Sequence, residues 1–233
     1  MERQPWNKGK TKTTHPSVLK MSETMRQKKI DNFKSWREKK RQEGVWKIAE
    51  IEKSVQLAEL VGVILGDGNI QIFPRCERLI ISSHSENKTF IERYSNLVEN
   101  LFVKAPSILK TKENCVRISL YQKEISKRLL IPVGSRQKLN NLIPVWITTD
   151  KKFVIACLKG LFEAEGSLSI HLPTYTYNFQ FTNTNKCLLD FVKNNLLKLG
   201  FNPEERPTSI RLRKKKEVLL FKDLINFRKN IPG

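Results

Sequence analysis

Two short stretches decide how this chain is built: LVGVILGDG at residues 60–68 and LKGLFEAEG at residues 158–166. Gly62 and Gly66 stand four residues apart in the first, Gly160 and Ala164 in the second. Residues at that spacing share one helix face, so each stretch reads as a helix with a stripe almost bare of side chains, on which another backbone can settle. A glycine inside a helix costs about 1 kcal/mol against alanine, and tight packing of one helix on the other would offset it. Leu60, Val63 and Ile64 in one helix, and Leu158, Leu161 and Phe162 in the other, are left to anchor each in its own core.

Asp67 and Glu165 close the two stripes, just before Gly68 and Gly166, which read as C-terminal helix caps. A carboxylate there faces the negative end of the helix dipole, unfavourable by about 0.3–1 kcal/mol. The same rule is broken twice, 98 positions apart, which points to function rather than to a solvated helix end. Packed stripe to stripe, the helices would bring both carboxylates together, and their repulsion calls for a cation. Two hard oxygen ligands, completed by water and phosphate oxygens, suit Mg²⁺ and phosphodiester hydrolysis.

The repetition runs beyond the motifs. Alternating polar and apolar residues predict a hairpin from 69–73 and 78–83, and another from 167–172 and 175–182. Helical spacing follows at 85–102 and 184–199, with Ser85 and Thr184 as expected N-caps and Gly200 as a stop. Further strands and a short helix close each half. The fold class is therefore mixed α/β (α+β), with two pseudo-symmetric αββαββα repeats at 51–131 and 149–233 joined by a linker at 132–148. Residues 1–50 carry 14 Lys or Arg against 6 acids and three of the four tryptophans, with few aliphatics. They read as a basic arm with one helix over 22–43, and equally as a DNA-backbone contact or as a solvated helix leaning on the main domain.

The chain has 233 residues and a formal charge of +20, with 39% hydrophobic residues, so a folded, strongly basic protein with nucleic acid as leading partner is expected. No apolar run approaches the ~18 residues that span a bilayer, and no signal-peptide core opens the chain, so an intracellular, unsecreted protein without a membrane partner is expected. The four cysteines and three histidines are scattered without a C-x-x-C pair, which disfavours a zinc finger or a disulfide framework.

The two motifs in this repeat context resemble those of the LAGLIDADG homing endonucleases, in the single-chain form with two copies. The likeness covers about residues 53–228, and the linker IPVGSRQKLNNLIPVWI is similar to the segment joining the halves in that family. The resemblance implies a monomeric saddle whose antiparallel sheets line a DNA groove. It implies metal-dependent double-strand cleavage at a long site, with short 3′ overhangs. Mg²⁺ is the implied cofactor, with Mn²⁺ able to substitute and Ca²⁺ supporting binding without turnover. Asp67 and Glu165 match the metal-binding acids; Ser83, His84 and Asn183 match the strand ends that help position water and phosphate, and Lys138 matches the linker lysine. Serine and histidine depart from the glutamine or lysine common at the first strand end, and Leu65 stands where an acid, Glu163 in the second motif, is common. WNKGKTK and SETMRQKK near the N-terminus resemble small nuclease-associated repeats and imply an extra DNA grip. Relatives of this type also include intron RNA maturases and non-cleaving DNA-binding regulators, which stand as the alternative.

Strand alternation assigns the faces. Ile70, Ile72, Leu79 and Ile81 are expected inward, leaving Asn69, Gln71, Phe73, Arg75, Arg78, Ile80 and Ser82 toward DNA. Arg117, Ser119 and Tyr121 join them from the later strand. In the second half Ser167, Ser169, His171, Thr176, Asn178, Gln180, Thr182, Ser209, Arg211 and Arg213 face outward. These are side chains that read base edges, and they differ between the halves, so an asymmetric target is expected.

Overall fold

The computed structural model describes residues 5–28, 30–31, 33–42, 50–111, 114–137 and 139–228, with Arg37, Lys40 and Arg41 described in backbone only. The chain divides into two compact units, Met1–Ala49 and Glu50–Gly233.

The first unit holds α1 (Pro16–Gln27) and α2 (Lys34–Gln42). The single helix expected over 22–43 is thus broken. The break follows from Asp31, whose side chain accepts from the backbone N–H of Phe33 at 3.1 Å and turns the chain before α2. No residue of α1 is buried. Local contacts hold the arm instead: Lys10 lies over the Trp6 ring at 5.6 Å, and Trp6 meets His15 edge-on at 6.4 Å.

The second unit begins with α3 (Val55–Asp67), β1 (Gly68–Phe73), β2 (Cys76–His84), α4 (Lys88–Phe102), β3 (Ser107–Lys110), β4 (Cys115–Gln122) and α5 (Ile125–Leu129). A 3-10 turn, Val145–Thr149, leads into α6 (Lys151–Glu165), β5 (Gly166–His171), β6 (Thr176–Thr182), α7 (Lys186–Lys198), β7 (Glu204–Arg206), β8 (Ser209–Leu212) and α8 (Lys215–Leu224). Each repeat forms one four-stranded antiparallel sheet, ordered β1-β2-β4-β3 and β5-β6-β8-β7. The repetition read from the sequence is therefore one of strand order as well as element order.

The helices α3 and α6 pack backbone against backbone at the centre. A Cβ placed on Gly62 would stand 2.3 Å from the Cys157 carbonyl oxygen, and one on Gly160 would stand 2.1 Å from that of Glu59. At Gly66 it would meet the Ala164 Cβ at 2.6 Å. The bare stripes expected from the four-residue spacing are thus the contact surface itself. Gly68 and Gly166 are extended rather than left-handed caps, φ −96° and −85°. Their lack of a side chain serves a close approach: a Cβ at Gly68 would lie 2.6 Å from the Ile64 Cα, and at Gly166 2.3 Å from the Phe162 carbonyl oxygen. Each helix can therefore turn directly into the first strand of its sheet.

Each sheet packs its apolar side on its own helices, with Ile70, Leu79 and Ile81 in one repeat and Tyr177, Phe179 and Phe181 in the other buried. Four face assignments need correction. Ile72 is 69% exposed, because it sits opposite Glu77 near the hairpin tip, one rung beyond the buried Ile70–Leu79 pair. Ile80 and Ser119, opposite each other, are buried. Arg78, whose own rung is opposite Tyr121, donates to the Ser119 Oγ at 3.0 Å, so its side chain leans across the Ile80–Ser119 rung and covers it. Ser209 is buried as well, between Thr182 and Arg206 in the register.

The expected N-caps are also displaced. Strand β2 runs on to His84 and the Ser85 N–H is taken by the Asn114 carbonyl, so α4 starts after Asn87. In the second repeat Asn185, not Thr184, caps α7, accepting from Cys187 N–H and Leu188 N–H. Gly200, at φ +89°, ends that helical segment as expected.

Gly160→Ala should destabilise the protein by more than about 3 kcal/mol, because the new methyl meets backbone on the partner helix, although helix propensity alone would favour alanine by about 1 kcal/mol. Urea unfolding of the full chain measures this; an unchanged or raised midpoint would contradict the packing.

Candidate functional site at the paired helix tips

Asp67 is the last residue of α3 and Glu165 the last of α6. The packed stripes bring the two ends together: a Cβ on Gly66 would touch the Glu165 Cγ at 3.1 Å. Loss of surrounding water pushes the Asp67 carboxyl up to about 6, the neighbouring Glu165 charge adds to this, and the Arg228 guanidinium opposes it. Asp67 nevertheless keeps an exposed side, so the crowding comes from the helix ends beneath it and leaves access from solvent. The Glu165 carboxyl is likewise raised by burial.

Asn183, just after β6, donates from Nδ2 to the Glu165 Oε1 at 3.4 Å, which brings the second strand-end residue to the acids. Ser83 and His84 close β2 but make no hydrogen bond to either carboxylate. The His84 ring lies 3.9 Å from the Glu86 carboxylate and lines a cavity of about 650 Å³ with Glu163, Lys159 and Arg228. Lys138 lies outside the described residues.

Two other acids in the same helices are held very differently. Glu59 receives the Arg93 guanidinium at 2.7 and 2.6 Å and the Tyr94 hydroxyl at 3.0 Å, with the Lys159 ammonium from the other repeat at 3.8 Å. Glu163 receives the Arg228 N–H at 3.0 Å, and the Arg228 Nη2 donates to the Glu163 carbonyl. These carboxylates are buried and have cationic partners, so they serve the fold. Asp67 and Glu165 have no ion pair within 4 Å among the described residues. Among those residues, no three His, Cys, Asp or Glu side chains cluster to hold a metal. The donor set is therefore two hard carboxylates with a solvent-open side. Such a set fits a divalent cation that takes its remaining ligands from water and phosphate.

Sequence reasoning missed Arg136. Its Nη2 donates to the Ile64 carbonyl at 2.7 Å and to the Gly68 carbonyl, so the guanidinium sits at the C-terminal end of α3 and pins the backbone on both sides of Asp67. A cation at this end of a helix is favourable. The linker itself was visible, but a contact made 72 residues back along the chain leaves no spacing signal.

On the outward faces, Gln71, Phe73, Arg75, Arg117 and Tyr121 are exposed in the first sheet, while Asn69 and Ser82 are half-buried. The Arg78 guanidinium, also half-buried, rests 5.2 Å over the Tyr121 ring, which Phe73 meets edge-on. In the second sheet Ser167, Ser169, His171, Thr176, Thr182 and Arg213 are exposed, and Asn178, Gln180 and Arg211 half-buried. Arg211 spends its charge on Glu204, with its Nε donating at 2.8 Å.

Residues 152–231 match the family model of the LAGLIDADG-like domain. No curated protein matches the chain. Among solved structures, the homing endonuclease I-DmoI is similar at 21% identity and TM-score 0.53 over 73% of this chain and 94% of that one. I-DmoI in complex with DNA and Ca matches at 22% identity and TM-score 0.52 over 73% of this chain and 88% of that one. The N-terminal LAGLIDADG domain of DUF199/WhiA matches at 20% identity and TM-score 0.53 over 77% of this chain and 85% of that one. Other matched I-DmoI structures hold DNA with Mn, or target DNA in the presence of Mg.

The raised Asp67 carboxyl has a signed consequence. The folded state holds its proton up to about pH 6, the unfolded chain only to its ordinary 3.8, so ionisation costs stability as pH rises between those values. Asp67→Asn should therefore stabilise the metal-free protein by about 1 kcal/mol above pH 7, allowing for solvent screening, and by nothing near pH 3.5. Thermal unfolding at both pH values in the presence of a chelator tests this; an equal gain at both would remove charge as the cause.

Proposed function

With the LAGLIDADG fold of its two-repeat body as premise, we propose that this protein is a site-specific DNA endonuclease that makes metal-dependent double-strand breaks at a long, asymmetric site. The observation that carries the reading is the meeting of one carboxylate from each repeat, without an ion pair within 4 Å among the described residues, at the tips of the central helices. The same helices hold two further acids that are neutralised, so the bareness of Asp67 and Glu165 is selective rather than general.

Asp67 and Glu165 would hold Mg²⁺, or Mn²⁺ in its place. Bound there, the cation would polarise a phosphodiester and supply an acidic water at neutral pH. The chain's own residues do the rest. Asn183 restrains the Glu165 carboxylate, and Arg136 fixes the backbone around Asp67. The basic, polar outer faces of the two sheets hold duplex DNA with the scissile phosphates over the helix tips. Arg78, set by Ser119 and shelved on Tyr121, offers a pre-oriented guanidinium to a base edge, where a good bidentate contact discriminates by about 1–3 kcal/mol. The exposed residues of the two sheets differ, which suits an asymmetric target read by a monomer. The basic arm adds phosphate contacts that strengthen binding without reading sequence. Such an enzyme works inside the cell, where its DNA lies.

A non-cleaving DNA-binding role is the second reading, because the fold is shared with WhiA as well as with I-DmoI and fold does not fix activity. Incubation with plasmids covering the locus around the gene separates the two. The nuclease reading expects Mg²⁺-dependent linearisation by the wild-type chain. Asp67→Asn or Glu165→Gln should lower the rate at least about 100-fold and leave Ca²⁺-supported binding within about 2-fold. Tight binding without linearisation in Mg²⁺ or Mn²⁺ would favour the binding role.

A further inference from the structure

The linker between the repeats is fastened over residues 136–139, on one side to α7 and on the other to α3, by side chains that no motif predicts. Asn185 is 5% exposed. Its Oδ1 caps α7, accepting from Cys187 N–H at 2.8 Å and Leu188 N–H at 3.3 Å. Its Nδ2 points the other way, into the linker, and lies 2.7, 3.2 and 3.1 Å from the carbonyl oxygens of Arg136, Gln137 and Leu139. Three linker carbonyls thus converge on one amide group. An aspartate would cap the helix as well but would repel the three carbonyls, so the amide is selected by the linker and not by the helix. Asn87, the equivalent position in the first repeat, makes no side-chain cap.

From Asn185 the contacts run in two directions. Its backbone N–H donates to the Asn183 Oδ1 at 2.8 Å, and the Asn183 Nδ2 reaches Glu165 at 3.4 Å. Through the linker, Arg136 reaches the Ile64 and Gly68 carbonyls, which bracket Asp67. A continuous chain of hydrogen bonds therefore joins Glu165 of one repeat to the backbone around Asp67 of the other. Beneath it lies a cavity of about 380 Å³ bordered by Gly66, Asn69, Arg136, Asn183 and Asn185.

We propose that Asn185 and Arg136 are positioning residues that strap the linker across the two helix tips and so set the mutual placement of Asp67 and Glu165. The catalytic consequence rests on the nuclease reading; the strap itself does not. Misplacement of reacting groups by about 1 Å can cost about 100-fold in rate, so loosening the strap should be visible in catalysis before it is visible in binding.

Asn185→Ser keeps a cap acceptor but loses the donors to the linker, and Arg136→Gln cuts the contact of the same stretch with α3. In the full chain without metal or DNA, both variants should speed amide hydrogen exchange at residues 64–68 about 10-fold or more relative to α8, which serves as internal control. With the cleaved target in hand, both should lower single-turnover cleavage about 10–100-fold and raise the half-saturating Mg²⁺ concentration, while Ca²⁺-supported DNA affinity stays within about 2-fold. Unchanged exchange at residues 64–68 would overturn the strap. Faster exchange with wild-type cleavage would overturn its positioning role. A wild-type chain that never cleaves would remove the nuclease reading alone, and the exchange measurement would still decide the strap.

Discussion

Everything in the two-repeat body depends on the absence of side chains where α3 meets α6. The carbonyl oxygens of Glu59 and Cys157 occupy the space that a Cβ on Gly160 or Gly62 would fill, and Gly66 leaves room for the Ala164 methyl. Helices that touch through backbone have little freedom to slide or rotate, because any shift drives a carbonyl into its neighbour. The constraint fixes where both helices end. Each end then turns at once into a strand, since Gly68 and Gly166 tolerate the nearby helix backbone that any other residue would strike. The position of the two helix ends relative to each other and to the two sheets is thus a consequence of packing made elsewhere.

Against that rigid frame, charge separates structure from function. Four acids, Glu59, Asp67, Glu163 and Glu165, lie on two helices. Glu59 and Glu163 are buried and have cationic partners, Lys159 reaching Glu59 from the opposite repeat. Breaking such a pair would leave an uncompensated buried charge, so they favour the observed pairing of the repeats over alternatives. Burial, with the neighbouring Glu165 charge adding to it, raises the Asp67 carboxyl to about 6. Guanidinium groups go to the structural acids and to helix carbonyls, while Asp67 and Glu165 have no ion pair among the described residues, an arrangement that fits a divalent cation. Arg136 and Arg228 both end on carbonyls at the last turns of the central helices, where they counter the helix dipoles.

Much of this was legible in the sequence because it is periodic. Four-residue glycine spacing, two-residue strand alternation and a 98-residue repeat all survive as simple patterns, and the buried Ile70, Leu79, Phe179 and Phe181 follow from them. What was missed is what periodicity does not encode. Arg78 leans one rung along its sheet and closes Ile80 and Ser119 away from solvent, which no alternation rule anticipates. Ile72 is apolar at a hairpin tip that extends past its core. Helix starts moved from Ser85 and Thr184 to Asn87 and Asn185 because backbone groups before them were already committed to strand or turn bonds. Arg136 and Asn185 act through contacts 46 to 72 residues away in sequence. The meeting of Asp67 and Glu165 was readable from a broken dipole rule, and the nearness of Asn183 to Glu165 from likeness of position, whereas the contacts of Arg136 and Asn185 were not.

The central claim is that the packed helices make one cation site from two repeats, and anomalous scattering tests it most directly. Crystals of the full chain with its DNA target and Mn²⁺ should show a manganese peak within coordination distance of carboxylate oxygens from both Asp67 and Glu165, lost when either is replaced by its amide. Manganese bound elsewhere, or a peak that survives both replacements, would contradict the account.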